Sequence, residues 1–162
     1  MKILDSGDRT EFETGAVRDM REGKGRCDLL PLDVVAEMEG KPLGGYNVFS
    51  RIHQFQTTSD VRYLLLALDC FGELCMWDKR TMILEVAKHF EEGAKKYGEN
   101  NWKKGIPVRC YIDSAVRHHL KWLRGDCDEP HNRAFCWNII CAIWTCQNKP
   151  ELNDYRKEDD EK

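Results

Sequence analysis

The segment that most constrains the fold of this chain is HNRAFCWNIICAIWTCQ, residues 131–147. Apolar residues cover nearly the whole circumference of a helix here, and such a helix must be surrounded by other elements. Nowhere does the sequence alternate apolar and polar residues over a sustained run, so strands are not expected. The segment therefore predicts a central buried helix in an all-α bundle of about four or five helices.

Other segments also carry helical signals. They predict helices over residues 31–39, 63–71, 78–98 and 111–124. A proline opens the first of these helices, apolar residues dominate the second, and the third has an aspartate N-cap and a glycine at its end. Residues 40–56 contain Gly, Pro and aromatic residues without a sustained period, so we predict an irregular connection there.

The length of 162 residues is enough for one ordinary hydrophobic core, so we predict a single domain over residues 1–162. Residues 1–13 and 148–162 are polar and are predicted to be loose termini. The formal net charge of −3 gives no global attraction to duplex nucleic acid or to an anionic membrane. No segment has the roughly 18 consecutive apolar residues of a membrane-spanning helix, so we expect a cytoplasmic protein.

Eight cysteines raise the question of disulfides or zinc. No CxxC pair is present, and several cysteines lie in apolar helical runs, where a thiol packs as a small apolar group. We therefore expect buried, reduced thiols. A zinc-dependent nucleic-acid binder remains an alternative, with Cys127, His131 and Cys136 as the candidate ligands, although their spacing matches no common zinc pattern.

Acidic residues cluster near the ends of the predicted helices. The clusters are Glu91 with Glu92, Asp113, and the turn that holds Asp126, Asp128 and Glu129. Carboxylates on facing helices are a usual source of oxygen ligands for Mg²⁺. The alternative is that they are solvated helix caps.

Three further features could serve a phosphate or a base. A glycine-hinged basic run contains Arg18, Arg21, Lys24 and Arg26, and is either a solvated loop or an arm that brings cations to a phosphate. Trp102, with Asn101 beside it, offers a stacking surface and amide donors, or else packs in the core. Asn138 lies inside the apolar last helix and must find a partner, either in a site with His131 or on a neighbouring backbone.

The order of these motifs resembles a known family. The blocks are TGAVRD, GKGRCDLLP, FEEGAKKYGENNWKKGIP, DSAVRHHLKWLRGD, DEPH and AFCWN, within residues 14–39 and 83–146. They are similar to the phage-type dATP/dGTP diphosphohydrolase N-terminal-domain family, which is grouped with the MazG-like all-α nucleoside triphosphate pyrophosphohydrolases. The specific part is GAKKYGxxNWxxG followed by RH. Compared with shorter members, residues 40–80 resemble an insertion.

The resemblance implies an enzyme that uses Mg²⁺ or Mn²⁺ to hydrolyse a deoxypurine nucleoside triphosphate to the monophosphate and pyrophosphate, as a homodimer or homotetramer. Together with the clusters above, it predicts the catalytic residues Glu91, Glu92, Asp113, His118 and His131. The predicted metal ligands are Glu91, Glu92, Asp113, Asp126, Asp128 and Glu129. The predicted substrate-binding residues are Lys24, Arg26, Lys96, Tyr97, Asn101, Trp102, Arg117 and Asn138.

The sequence departs from the family pattern at several places. Ala134 stands where the family often has a second histidine, the turn between Gly125 and His131 is short, and residues 82–98 contain no clean E-x-x-E pair. These departures favour an alternative, a catalytically inactive relative that binds nucleotides or another protein. The retained KYGxxNW and DxxxRH blocks favour the enzyme.

Overall fold

The computed structural model describes residues 5–41 and 45–158, which form a two-stranded hairpin and six α-helices. Their bounds are β1 Arg9–Glu11, β2 Val17–Asp19, α1 Leu32–Glu39, α2 Val48–Thr58, α3 Arg62–Cys75, α4 Lys79–Tyr97, α5 Val108–Arg124 and α6 His131–Asn148. Short 3₁₀ turns cover Cys27–Leu29, Asn101–Lys104 and Pro150–Leu152. The all-α prediction is confirmed, with one helix more than expected and a hairpin that the sequence pattern did not indicate.

Helix α6 lies at the centre of the bundle and packs against α5, α4 and α3. Its buried apolar positions cover more than half of the helix circumference: Phe135, Cys136, Ile139, Cys141 and Ala142. The ring centroids of Phe71 in α3 and Phe135 in α6 are 4.5 Å apart, so the helices interlock through aromatic rings. The prediction of a central buried helix is confirmed. Helix α2 packs on α1 and α3 and forms an outer layer.

Helix α2 is the main correction to the predicted helices, because the sequence pattern predicts an irregular connection over residues 40–56 and the structure has a helix there. The Asn47 side chain accepts the backbone N–H of Ser50 at 3.0 Å, and the Ser50 hydroxyl accepts the Asn47 N–H at 2.8 Å. This reciprocal cap satisfies two N–H groups at the start of the helix. The buried positions then recur at helical spacing: Val48, Ile52 and Phe55. Burial of this face stabilises a helix that composition alone disfavoured.

The hairpin is short and depends on the rest of the protein. Its antiparallel register pairs Arg9 with Asp19, Thr10 with Arg18, and Glu11 with Val17. Gly15 turns the chain with a φ of 85°, a value that glycine adopts without strain. Because an isolated two-stranded hairpin is marginal in water, its placement must come from tertiary contacts.

The segments predicted to be loose termini make defined contacts where the structure describes them. The Tyr155 ring packs edge-on against Phe55, with centroids 5.5 Å apart. The Asp154 carboxylate accepts the backbone N–H of Arg109 at 2.8 Å, at the first turn of α5. The predictions made for residues 1–4, 42–44 and 159–162 lie outside the described residues.

The eight cysteines are free thiols. Cys136 and Cys141 are buried in α6, and burial raises the pKa of both thiols far above the ordinary value. Burial also raises the pKa of Cys146 to about 12. These groups therefore stay protonated near neutral pH and pack as small apolar side chains.

Two helical glycines provide a matched test of packing. A Cβ added to Gly72 in α3 would lie 2.8 Å from the carbonyl oxygen of Trp77, whereas nothing lies within 4 Å of a Cβ added to Gly93 in α4. We expect Gly93→Ala to raise the free energy of unfolding by about 0.5–1 kcal/mol, because alanine favours a helix. Gly72→Ala should lower it by about 1–3 kcal/mol, because the backbone must shift. Urea denaturation measures both, and a gain at Gly72 would contradict the packing described.

Candidate functional site

A cavity of about 530 Å³ lies between the hairpin, the chain segment 96–102 and helices α4, α5 and α6. Its size falls within the range of small-molecule sites in proteins. The apolar part of its wall is formed by Phe12, Phe90, Trp102, Ile106 and Trp137. The stretch around Trp102 therefore does face a cavity, as the sequence pattern indicated.

Basic side chains are the second component of the wall. They are Arg18, Arg21, Lys24, Lys96, Arg117 and Lys121. Among the described residues, the carboxylates that line the cavity are Asp5, Asp19 and Glu129. The cavity thus has a local excess of positive charge, although the formal charge of the whole chain is −3. Such a local field favours an anionic ligand.

Asn101 fixes the hairpin against the cavity. Its side-chain oxygen accepts the backbone N–H of Val17 at 2.9 Å, and its amide nitrogen donates to the Val17 carbonyl at 2.8 Å. The Asn101 amide therefore satisfies the backbone N–H and carbonyl of Val17, as a neighbouring strand would. Asn101 was predicted to bind substrate; it lines the cavity, and its side-chain amide is used to hold β2.

Arg18 on β2 projects into the bundle. One terminal nitrogen, Nη2, donates to the Ser114 hydroxyl at 3.1 Å and to the Asn138 side-chain oxygen at 3.0 Å. The other, Nη1, is buried and has no hydrogen-bond partner among the described residues. The Asn138 amide nitrogen donates to the Ala134 carbonyl at 2.9 Å. The polar residue inside α6 is thus explained: it orients an arginine at the cavity wall.

A histidine–carboxylate cluster forms where α5 and the start of α6 meet. The Nδ1 atoms of His118 and His131 lie 2.9 Å apart, so that one ring donates to the other. Each of these atoms is 3.7 Å from Oε1 of Glu129. On its other side, His131 Nε2 lies 2.6 Å from an oxygen of Asp128. His118 and Glu129 also line the cavity, so the cluster opens onto it.

Two overlapping groups within this region can hold a metal ion. The ligand atoms of His118, Glu129 and His131 lie within 4.8 Å of one another, as do those of Asp126, Asp128 and His131. Burial and the adjacent His131 hold the pKa of His118 well below its usual range. The hydrogen bond from Arg124 lowers the pKa of Asp126.

Most of the predicted site residues line the cavity. Those that do are Lys24, Lys96, Tyr97, Asn101, Trp102, Arg117, His118, Glu129 and Asn138. His131 does not line the cavity but contacts His118 and Glu129, which do. Asp128 in turn contacts His131. The turn at 126–131 and the helix start after it are therefore brought to the same place as α5.

Other predicted residues lie elsewhere. Neither Glu91 nor Glu92 lines the cavity, and Glu91 is exposed, with one carboxylate oxygen 3.9 Å from Lys95 Nζ. Arg26 forms a two-bond pair with Asp28, at 2.8 and 2.7 Å, outside the cavity. The two neighbouring carboxylates near the end of α4, Glu91 and Glu92, are thus not part of the cavity wall.

Asp113 is fully buried and lies outside the cavity lining. One carboxylate oxygen accepts the backbone N–H of Cys27 at 2.7 Å, and the other accepts Arg117 Nη2 at 2.7 Å. Arg117 also donates to the Gly25 carbonyl at 2.7 Å. Asp113 therefore ties the glycine-hinged arm, residues 20–27, to α5, and both of its oxygens are already used.

Three basic residues of the cavity were not predicted as site residues: Arg18, Arg21 and Lys121. The first two were recognised only as part of a basic run. Lys121 carried a usable signal, because it follows Arg117 by one helical turn and shares its face. No local pattern indicates that Arg18 turns inward, because that depends on the hairpin and its anchor on Asn101.

His89 in the cavity wall makes stability depend on pH. Burial, with the nearby Arg133 charge, lowers its pKa to about 3, and its Nδ1 has no partner among the described residues. The unfolded chain binds the proton first, so stability is constant above about pH 7 and falls as pH decreases through the unfolded pKa near 6.5. We expect His89→Leu to remove about 2 kcal/mol of the stability loss between about pH 7.5 and about pH 5.

Urea denaturation at the two pH values measures this difference. His53→Leu on α2 is the control, because His53 lies outside the cavity lining and is partly exposed. An unchanged pH dependence in His89→Leu would contradict the burial of a neutral imidazole.

The fold and the site define an all-α protein with a cavity suited to an anionic ligand beside a group of potential metal ligands. The sequence matches the family described as dATP/dGTP diphosphohydrolase, N-terminal, over residues 56–155, more than half of the chain. The chain belongs to this family. No curated protein and no solved structure matches it.

The family match runs from the end of α2 to Tyr155 and contains the whole histidine–carboxylate cluster. It begins inside residues 40–80, whose status as an insertion stays a prediction, as does the grouping with MazG-like enzymes. The hairpin and the glycine-hinged arm lie outside the matched range. None of the described helices combines the length and the hydropathy needed to span a bilayer.

Proposed function

We propose that this protein hydrolyses a deoxypurine nucleoside triphosphate, dATP or dGTP, to the monophosphate and pyrophosphate, with a bound divalent cation. The observation that carries the proposal is that one cavity joins basic side chains to the His118–His131–Glu129 cluster. Membership of a family named for dATP/dGTP diphosphohydrolases supports the same activity.

The basic side chains suit the triphosphate. Lys96 and Lys121 project from α4 and α5, and Lys24 comes from the arm. Cleavage between the α and β phosphates transfers negative charge to the leaving pyrophosphate, and fixed cations stabilise that charge in the transition state. Arg117 acts as a positioning residue: it donates to the carbonyls of Lys24 and Gly25 and so holds the arm at the cavity.

The cluster fits the divalent cation that the family implies. His118, Glu129 and His131 would hold it, since their donor atoms are close together and two of the three residues line the cavity. A divalent cation held there would supply positive charge to the phosphate oxygens. Asp128 orients the His131 ring through the 2.6 Å contact to Nε2.

The apolar wall suits a purine. The Trp102 ring is held at 5.2 Å from Phe90 and at 4.9 Å from Trp144, so its position is set by packing. Trp102, Phe90 and Trp137 offer aromatic surface to a base.

The activity is tested by incubating the protein with each NTP and dNTP in the presence of Mg²⁺ or Mn²⁺ and separating the products. We expect dATP or dGTP to give the monophosphate and pyrophosphate in equal amounts. Release of orthophosphate or of intact triphosphate would contradict the proposed reaction. If a nucleotide raises the melting temperature but no product forms, the inactive nucleotide-binding relative is the correct interpretation.

We also propose that the protein forms a homodimer or homotetramer. Large apolar side chains are exposed on α3, on α4 and between them: Leu65, Leu74, Met76, Ile83 and Leu84. A set of exposed apolar residues of this kind is typical of an association surface. Light scattering during size exclusion gives the mass directly, and a monomer at micromolar concentration would contradict the proposal.

A further inference from the structure

The histidine–carboxylate cluster has the dimensions of a metal site. Three donor atoms form a triangle with sides of 2.9, 3.7 and 3.7 Å: Nδ1 of His118, Nδ1 of His131 and Oε1 of Glu129. The point equidistant from atoms separated by 2.9, 3.7 and 3.7 Å lies about 2.0 Å from each of them. Bonds from first-row transition ions to imidazole nitrogen and carboxylate oxygen have about this length.

The His131 ring is oriented for this role. Its Nε2 is 2.6 Å from Asp128 Oδ1, and its Nδ1 faces the other two donors. A carboxylate on the far nitrogen fixes the tautomer and directs the near nitrogen at the ion, as in many histidine metal sites. The short segment 128–131 therefore contains both a metal-binding histidine, His131, and the carboxylate that orients it, Asp128.

The carboxylates needed for an all-oxygen site are used elsewhere. The Asp113 carboxylate is buried and accepts hydrogen bonds from Arg117 and from the Cys27 N–H. Asp126 accepts Arg124 Nε at 2.8 Å, and Glu91 lies outside the cavity beside Lys95. Mg²⁺ takes oxygen ligands, whereas imidazole suits Fe²⁺, Ni²⁺, Cu²⁺ and Zn²⁺, and Co²⁺ lies between Fe²⁺ and Ni²⁺ in affinity.

The geometry points to a two-histidine, one-carboxylate centre formed by His118, His131 and Glu129, which binds a first-row transition ion in preference to Mg²⁺. This inference rests on the proposed function for the role of the ion. Binding of the ion, by contrast, is measured without turnover. The cluster opens onto the cavity, because His118 and Glu129 line it.

Calorimetry on the full chain, after dialysis against a chelator, tests the inference with Co²⁺, Mn²⁺ and Mg²⁺ as probes. We expect one Co²⁺ per chain, visible absorption bands from nitrogen-containing coordination, and affinity at least about 100-fold higher than for Mg²⁺. His131→Asn should lower the Co²⁺ affinity by more than about 10-fold, and Asp128→Asn by about 10-fold. His53→Asn, in α2 and away from the cluster, should bind Co²⁺ as the wild type does.

The wild-type protein gives a second readout that does not depend on folding of the variants. Pulsed EPR of bound Mn²⁺ or Cu²⁺ should show coupling to histidine nitrogen. Spectra without nitrogen coupling, or Mg²⁺ binding as tight as Co²⁺ binding, would overturn the inference. Transition-ion binding without hydrolysis would leave the inference intact and remove the proposed function, whereas hydrolysis with an oxygen-only ion site would do the reverse.

Discussion

Asp113→Ala is expected to lower the free energy of unfolding by about 3–5 kcal/mol, because it leaves the largely buried guanidinium of Arg117 without its counter-charge. The Asp113 side chain is 0% exposed and accepts Arg117 at 2.7 Å. Its other oxygen accepts the Cys27 N–H at 2.7 Å, and Arg117 holds the Gly25 carbonyl. The substitution therefore removes a charge pair and detaches the arm from α5.

Urea denaturation followed by circular dichroism measures this loss, and Asp126→Ala is the matched control. Asp126 also pairs with an arginine, with Arg124 Nε at 2.8 Å, but this pair lies at the surface. Exposed pairs of this kind contribute about 1 kcal/mol or less. Equal losses in the two variants would contradict a structural role for Asp113.

Asp113 also shows what a motif leaves undecided. The spacing D-x-x-x-RH places the carboxylate one helical turn before Arg117, and the resemblance to the family predicts that it binds a metal ion. At this spacing a carboxylate can pair with the arginine of its own helix or point into a site. The choice is made by the arm, which presents the Cys27 N–H to the same carboxylate. The role of Asp113 thus depends on a contact with Cys27, which lies 86 positions earlier in the chain.

The long helices were predictable because each carries its own signals. Asp78 accepts the Thr81 N–H at 2.7 Å as the N-cap of α4, and Gly98 ends that helix with a φ of 89°. The buried circumference of α6 followed from its composition. Helix α2 was not predicted because residues 40–56 contain Gly, Pro and aromatic residues without a sustained period, and its start depends on the capping box of Asn47 and Ser50.

The candidate site was less accessible from the sequence, because it joins segments that are distant in the chain. His118 and His131 meet only because α5 and α6 pack as a hairpin. Arg18 reaches Asn138 over a separation of 120 residues. The sequence singled out His118, His131 and Glu129 individually, but not their mutual arrangement, which depends on helix packing.

Glu129→Gln is expected to lower kcat/KM for dATP or dGTP hydrolysis by about 10²–10³-fold, because an anionic donor next to both imidazoles becomes neutral. The Glu129 oxygen lies 3.7 Å from the Nδ1 atoms of His118 and His131. The amide keeps the size of the side chain, so we expect the melting temperature to change little. Steady-state release of pyrophosphate measures the effect.

Glu91→Gln is the control, because the sequence predicts Glu91 as a metal ligand whereas the structure has it outside the cavity. Glu91 is exposed at the end of α4, 3.9 Å from Lys95, and does not line the cavity. Its substitution should leave kcat/KM within about two-fold of the wild type, because Glu91 contacts neither the cavity nor the His118–His131–Glu129 cluster. A large loss in Glu91→Gln together with wild-type turnover in Glu129→Gln would place the cation on α4. The reverse result would locate it at the junction of α5 and α6.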